Sequence, residues 1–163
     1  MRKELPHQLL RELLKNSKRS DRELAKVLGV SQPTITRTRQ KLEKNGIIEG
    51  YTIIPNFKKM GFEILGMTLI KMRPEILETE MTKRIKERAA QFPTAIFVSN
   101  GEGLNTNFVV ISFNRNFTEY HNRLNILRSD WKDFIENIES FIISIGEGEY
   151  KRLSLTYLKD LPL

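Results

Sequence analysis

The sequence predicts an α+β protein in two small parts: a helical N-terminal module, then a longer module in which strands and helices alternate. Three observations predict it. Apolar residues recur at helical spacing through the first 45 residues, with glycines at two helix ends. From residue 62 onward, β-rich runs and helical stripes follow in the order strand, helix, strand, strand, helix, strand. Charge is also unevenly placed: residues 1–60 hold fourteen Lys/Arg against six acids, and the rest holds thirteen against fourteen. A chain of 163 residues fits one domain or two small ones and excludes large barrels.

The first helix is expected from Leu5, Leu9, Leu10, Leu13 and Leu14 and should end near Asn16. The second begins after Ser20, with Glu23 three residues on as the partner in a capping box. Leu24, Ala25 and Leu28 form its inner face, and Gly29 ends it. Ser31 caps a third helix with Pro33 in its first turn, where a missing N–H costs nothing. Ile35, Thr38 and Leu42 share one side of it, and Gly46 stops it. Two short helices around a glycine turn make a helix-turn-helix. Small Ala25 four residues before Gly29 lets the helices approach, and Ile35 six residues after it fills their angle.

With Ile35 and Leu42 inward, the 100° step turns Arg37, Gln40, Lys41 and Lys44 outward, flanked by Thr34 and Thr36. Arg and Gln can make bidentate contacts to guanine and adenine edges. The threonines suit phosphates or a thymine methyl, and the two lysines lie where a helix leaving a groove meets phosphates. Ser31 and Gln32 sit at the helix N-terminus, which favours a phosphate. Arg39, at the margin of the inner face, has two expected partners: Glu43 at i+4, or a phosphate. The basic excess points the same way, to a polyanion.

Ile47 to Pro55 reads as two short strands, a wing. This sets a winged helix-turn-helix at residues 1–56 and a linker at 57–61 carrying Lys58 and Lys59. Residues 62–163 form the second domain. There Phe62–Met72 is a strand ending at Pro74; Leu77, Met81, Ile85 and Ala89 mark a helix; Ala95–Ser99 and Phe108–Phe113 are strands around an Asn100–Asn105 turn. Asn116 and Glu119 open a helix carrying Tyr120, Leu124 and Leu127. Phe141, Ile143 and Ile145 alternate as a strand. After Gly146-Glu147-Gly148, Leu153, Leu155 and Tyr157 suggest an extra C-terminal strand. The order is that of a ferredoxin-like βαββαβ domain. Leu65, Met67 and Leu69 leave its second sheet face apolar, which suits a twofold homodimer. Two recognition helices would then reach half-sites about 34 Å apart.

Leu24-Ala25-Lys26-Val27-Leu28-Gly29-Val30-Ser31, with Leu42-Glu43-Lys44-Asn45-Gly46-Ile47-Ile48-Glu49-Gly50-Tyr51, resembles the Lrp/AsnC family of transcription regulators. The likeness covers most of the chain in layout and is strongest over residues 20–55. It implies a dimeric regulator of double-stranded operator DNA, with assembly as far as octamers. It also implies a small effector, usually an amino acid, bound between sensing domains. The family's loop carries a Gly followed by an Asp; here it reads Gly101-Glu102-Gly103-Leu104-Asn105-Thr106-Asn107, with Asn105 or Asn107 in the Asp's place. Gly101, Gly103, Asn105 and Asn107 are thus the candidate effector residues, and a plain hairpin loop is the other reading.

Other functions are weighed on the same residues. A low-specificity architectural DNA-binding protein suits the basic excess equally well. Some tetrapyrrole decarboxylases share this family's architecture, but His7 and His121 stand apart from other ligands, and no nucleophile elbow, phosphate loop or zinc motif occurs. No enzyme activity, metal or cofactor is expected. Cysteine is absent, which excludes disulfides and thiolate chemistry. The N-terminus lacks an apolar leader and no run approaches a membrane span, so a cytoplasmic protein without membrane contact is expected.

Overall fold

The structure, a computed structural model, describes residues 4–73, 79–147, 150–151 and 153–160. The predicted positions Pro74, Leu77 and Gly148 lie outside them, as do the side chains of Met81 and Ala89. The chain divides into two compact units: Met1–Ile54 with Lys151–Leu163, and Pro55–Tyr150.

The first unit holds α1 (Leu5–Lys15), α2 (Asp21–Leu28) and α3 (Gln32–Lys44). Its core is Leu9, Leu13, Leu24, Ala25, Ile35 and Leu42, with Leu5, Leu28, Val30 and Ile48 packed around it. The α2 cap forms as expected: the Ser20 side chain accepts from Glu23 N–H, and the Glu23 carboxylate accepts from Ser20 N–H at 2.7 Å. Gly29 ends α2 with φ +65, a left-handed value that a side chain would oppose. Glu12, nearly buried on α1, pairs with Lys15 and Arg19 and so ties the α1–α2 connection down.

Two expectations for this unit's chain fail. The strands of the wing are not formed: residues 48–56 carry no regular secondary structure, and Ile53 and Ile54 stand exposed. An isolated two-stranded ribbon is marginal unless it buries a face, and here only Ile48 reaches the core. The extra C-terminal strand is likewise absent: Leu155–Asp160 is a 3-10 helix packed on α1. Leu155 and Leu158 are three residues apart, which a 3-10 turn places on one face.

The second unit is a four-stranded antiparallel sheet in the order β2-β3-β1-β4 with helices between. Its elements are β1 (Ile64–Met72), α4 (Thr79–Ala90), β2 (Ala95–Gly103), β3 (Thr106–Asn114), α5 (Phe117–Asp130) and β4 (Ile135–Ser144). This is the predicted βαββαβ order. Burial alternates strictly along β1: Ile64, Gly66, Thr68, Ile70 and Met72 are buried, and the residues between are half-exposed. The covered face packs Ile70 and Met72 with Ile85, Leu127, Trp131 and Phe134. Gly66 admits the Tyr120 ring of α5, whose hydroxyl bonds Thr68 at 2.8 Å. Asn116 caps α5, accepting from Glu119 N–H at 2.8 Å.

The other face carries a cross-strand row: Phe97, Ile111, Met67 and Phe141 lie side by side in register. Phe97 and Phe141 are 51% and 64% exposed. At one end, Phe57 stacks on Phe113 with ring centroids 3.9 Å apart, so the expected linker at 57–61 packs on this sheet rather than running free.

Candidate nucleic-acid interface and hairpin site

The outward face of α3 is built by anchoring the inward one. Ile35 is fully buried and Leu42 nearly so, which turns Arg37, Gln40, Lys41 and Lys44 to solvent along one side. Ser31 and Gln32 are exposed at the helix start. Pro33 lies in the first turn, and the predicted Ser31 cap differs in detail: its hydroxyl bonds Thr34 Oγ1 at 2.8 Å instead of a backbone N–H. A side of four polar side chains with three positive charges, on a helix fixed by two buried residues, can enter a major groove and meet base edges and phosphates.

Two α3 residues have partners the sequence does not predict. Thr36, at the margin of the outer face, is half-buried, and its hydroxyl donates to Asp21 Oδ2 at 2.6 Å and approaches Gln32 O at 3.2 Å. Arg39 does not pair with Glu43: its Nη2 meets Asp21 Oδ1 at 2.7 Å and Arg19 O at 3.4 Å, and its Nη1 reaches the Tyr51 hydroxyl at 3.3 Å. Glu43 instead accepts from the Tyr51 hydroxyl at 2.7 Å. Burial works against the Arg39 charge, but Tyr51 and Asp21 outweigh it and hold its pKa above the ordinary value. Burial, with the Glu43 carboxylate, raises the Tyr51 phenol. Local spacing proposes Glu43, four residues away. Asp21 is eighteen residues away, and no periodicity links it to Arg39.

The candidate effector residues sit on a β-hairpin. The expected Asn100–Asn105 turn is tighter than predicted: β2 continues through Gly103, and Leu104 and Asn105 alone make the turn with φ +50 and +54. Two residues with positive φ match the twist of the flanking strands, as in type I′ hairpins. Gly101, Gly103, Leu104 and Thr106 line a hollow of about 230 Å³ with Glu102, Leu69 and Val109. Asn105 is exposed in the turn. Asn107 faces β1: its Oδ1 accepts from Met72 N–H and its Nδ2 donates to Met72 O, both at 2.7 Å. The structure thus gives Asn107 a strand-pairing role that the sequence does not announce. Among the described residues, no group of three or more His, Asp or Glu is placed to hold a metal ion. Among them, too, no helix is long and apolar enough to cross a membrane.

Residues 2–49 match a family profile described as winged helix-turn-helix DNA-binding. The chain is 37% identical over 90 residues to the HTH-type transcriptional regulator LrpA of Pyrococcus abyssi, covering 55% of this chain and 62% of that one. It spans less than two thirds of the length of the curated relatives it matches first. In fold it is similar to an AsnC family transcriptional regulator from Agrobacterium tumefaciens, with TM-score 0.77 and 21% identity over 94% of this chain and 97% of that one. A transcriptional regulator of Neisseria meningitidis, NMB0573, solved as a complex with L-Met, is also similar: TM-score 0.75 and 16% identity over 94% and 96%. At these identities the two structures speak for the fold alone.

Proposed function

We propose that the chain is a winged helix-turn-helix protein of the Lrp/AsnC type, a sequence-specific DNA-binding transcriptional regulator acting as a cytoplasmic homodimer. The observation that carries this is the outer side of α3, where Arg37, Gln40, Lys41 and Lys44 project together from a helix pinned by Ile35 and Leu42. Arg37 and Gln40 read bases; Lys41 and Lys44 hold phosphates. Ser31, Gln32 and Thr34 meet the backbone at the helix start. No catalytic role is assigned to any residue.

The test separates reading from holding. Arg37→Ala or Gln40→Ala should cost about 1–3 kcal/mol of discrimination per base contact, measured as competition by random duplex at fixed salt. Lys41→Ala or Lys44→Ala should weaken all sequences alike and lower the salt slope by about 0.9 each. If every duplex competes equally with the parent chain, the protein is an architectural DNA binder and the regulator reading fails.

Dimerisation is assigned to the open sheet face. Its row from Phe97 to Phe141 is apolar across all four strands, and an exposed patch of that kind gains by self-association. A Met67→Glu variant should sediment as a monomer. A small effector is assigned to the hollow beside the β2–β3 hairpin, supported by the ligand named in the Neisseria complex. Because Asn107 is committed to Met72 and the Thr106 hydroxyl donates to Gly103 O, the polar groups left to face a ligand at the hollow are those of Gly101 and Glu102, with Asn105 exposed in the adjoining turn. Protection of the hairpin against hydrogen exchange on adding amino acids one at a time would identify it.

A further inference from the structure

On the flank beside the reading side of α3 lies a set of bonds that the proposed contacts do not use. One carboxylate, Asp21 in the first turn of α2, holds α3 at two points: Thr36 through Oδ2 at 2.6 Å and Arg39 through Oδ1 at 2.7 Å. These two residues are three apart, hence one above the other on the same flank. Both partners of the ion pair are largely withdrawn from water, with side chains 17% and 20% exposed. The Arg39 guanidinium also lies 5.6 Å from the centroid of the Tyr51 ring. The Tyr51 hydroxyl passes the chain of contacts on to Glu43, one further turn along the same flank. A helix held at one flank over two turns cannot roll about its axis, and a roll would redirect Arg37 and Gln40 away from the bases they face.

The network also does a second thing. Of the four basic residues on α3 outside its first turn, Arg37, Lys41 and Lys44 are exposed, and Arg39 is neutralised by Asp21. A guanidinium beside a DNA-facing helix would otherwise attract any phosphate, whatever the sequence. We propose that Asp21 is a specificity-determining positioning residue: by fastening Thr36 and Arg39 it fixes the setting of the reading helix and keeps the Arg39 charge off the DNA. This rests on the DNA-binding reading above.

The experiment uses the full chain and two probes: a duplex recovered by that chain from a random-sequence pool, and the unselected pool itself. Affinity is measured for each over a range of salt, at a temperature where circular dichroism shows every variant folded. Arg39→Gln should leave the salt slope on the pool unchanged, whereas the control Lys41→Gln lowers it by about 0.9. Asp21→Asn should free Arg39. The slope on the pool should then rise by about 0.9, the pool should bind more tightly, and the preference for the selected duplex should fall about fivefold or more, the low end for one base contact. Asp21→Asn with Arg39→Gln should return the slope to the parent value. A role confined to folding would weaken both probes equally and leave the slope alone; that result overturns the proposal. So does an Arg39→Gln slope that falls as far as that of Lys41→Gln, because Arg39 would then be holding a phosphate. A parent chain that binds neither probe overturns the DNA-binding reading itself and the proposal with it.

Discussion

Replacing Gly66 by Ala tests how the sheet and α5 are fitted together. A Cβ at that position would fall against the Tyr120 ring, closest to Cε2, with Cδ2 at 2.9 Å and Cζ at 3.1 Å. Carbon atoms in contact need about 3.5–4.0 Å, so the ring must move. Tyr120 is 2% exposed, and a hollow of about 60 Å³ beside it, bordered by Thr68, Val110 and Leu124, takes up only part of the movement, the rest falling on its packed neighbours. Overpacking of this kind costs about 1–3 kcal/mol. A ring that shifts also strains or loses the buried bond between Tyr120 and Thr68, 2.8 Å long, which adds about 1 kcal/mol. The expected loss is therefore about 2–4 kcal/mol, a fall in urea midpoint of about 1–2 M for a unit of this size. Trp131 is the sole tryptophan and packs in the second unit's core, so its fluorescence follows that unit and not the helical one. The same substitution in a Tyr120→Leu background should cost less than about 1 kcal/mol, because the ring it strikes is gone. A midpoint unchanged by Gly66→Ala, or a full loss that persists without the ring, would refute the explanation.

Ala25 is 7% exposed where α2 meets α3, so Ala25→Leu should cost about 1–3 kcal/mol in thermal unfolding followed by circular dichroism and should weaken binding to every duplex. Glu12 has its pKa lowered below the usual 4.5, first by the bond from Lys15 and then by Arg19, against the effect of burial. Its stabilisation is therefore complete above about pH 4.5 and is lost as pH falls through the lower folded value. Glu12→Gln should consequently be less stable than the parent at neutral pH and converge with it in acid, measured as the unfolding midpoint against pH. Asn107→Asp should destabilise the second unit by about 1–3 kcal/mol, because a carboxylate cannot donate to Met72 O and is left facing it. That loss should shrink on acidification as the new carboxyl regains a proton, read again from Trp131 fluorescence.

The readable parts of this chain are those in which cause and effect lie within one helix turn or one strand pair. Ser20, Glu23 and Gly29 bound α2 where the sequence places them, because caps act over three or four residues. Ile35 and Leu42 point inward for the same reason, and they orient Arg37, Gln40, Lys41 and Lys44. The open face holding Leu65, Met67 and Leu69 was legible as well, whereas the strict burial alternation of β1 shows only in the folded sheet. The tightness of the hairpin was not: Gly101 and Gly103 mark a turn by composition, yet Leu104 and Asn105 take the positive φ.

By itself, then, the sequence determined the two-part α+β layout, the bounds of the helices and the outer side of α3, all consequences of local periodicity and capping. Tertiary structure alone decided three things. It sent Arg39 to Asp21 rather than Glu43, because an ion pair forms where packing brings charges together and removes water, whatever their separation in the chain. It gave Asn107 to the backbone of Met72, because only the paired strands show that the ladder needs a donor and an acceptor at that place. It made the tail a 3-10 helix against α1, although its leucines stay exposed, and it left the wing without strands, because a two-stranded ribbon with little to bury is marginal.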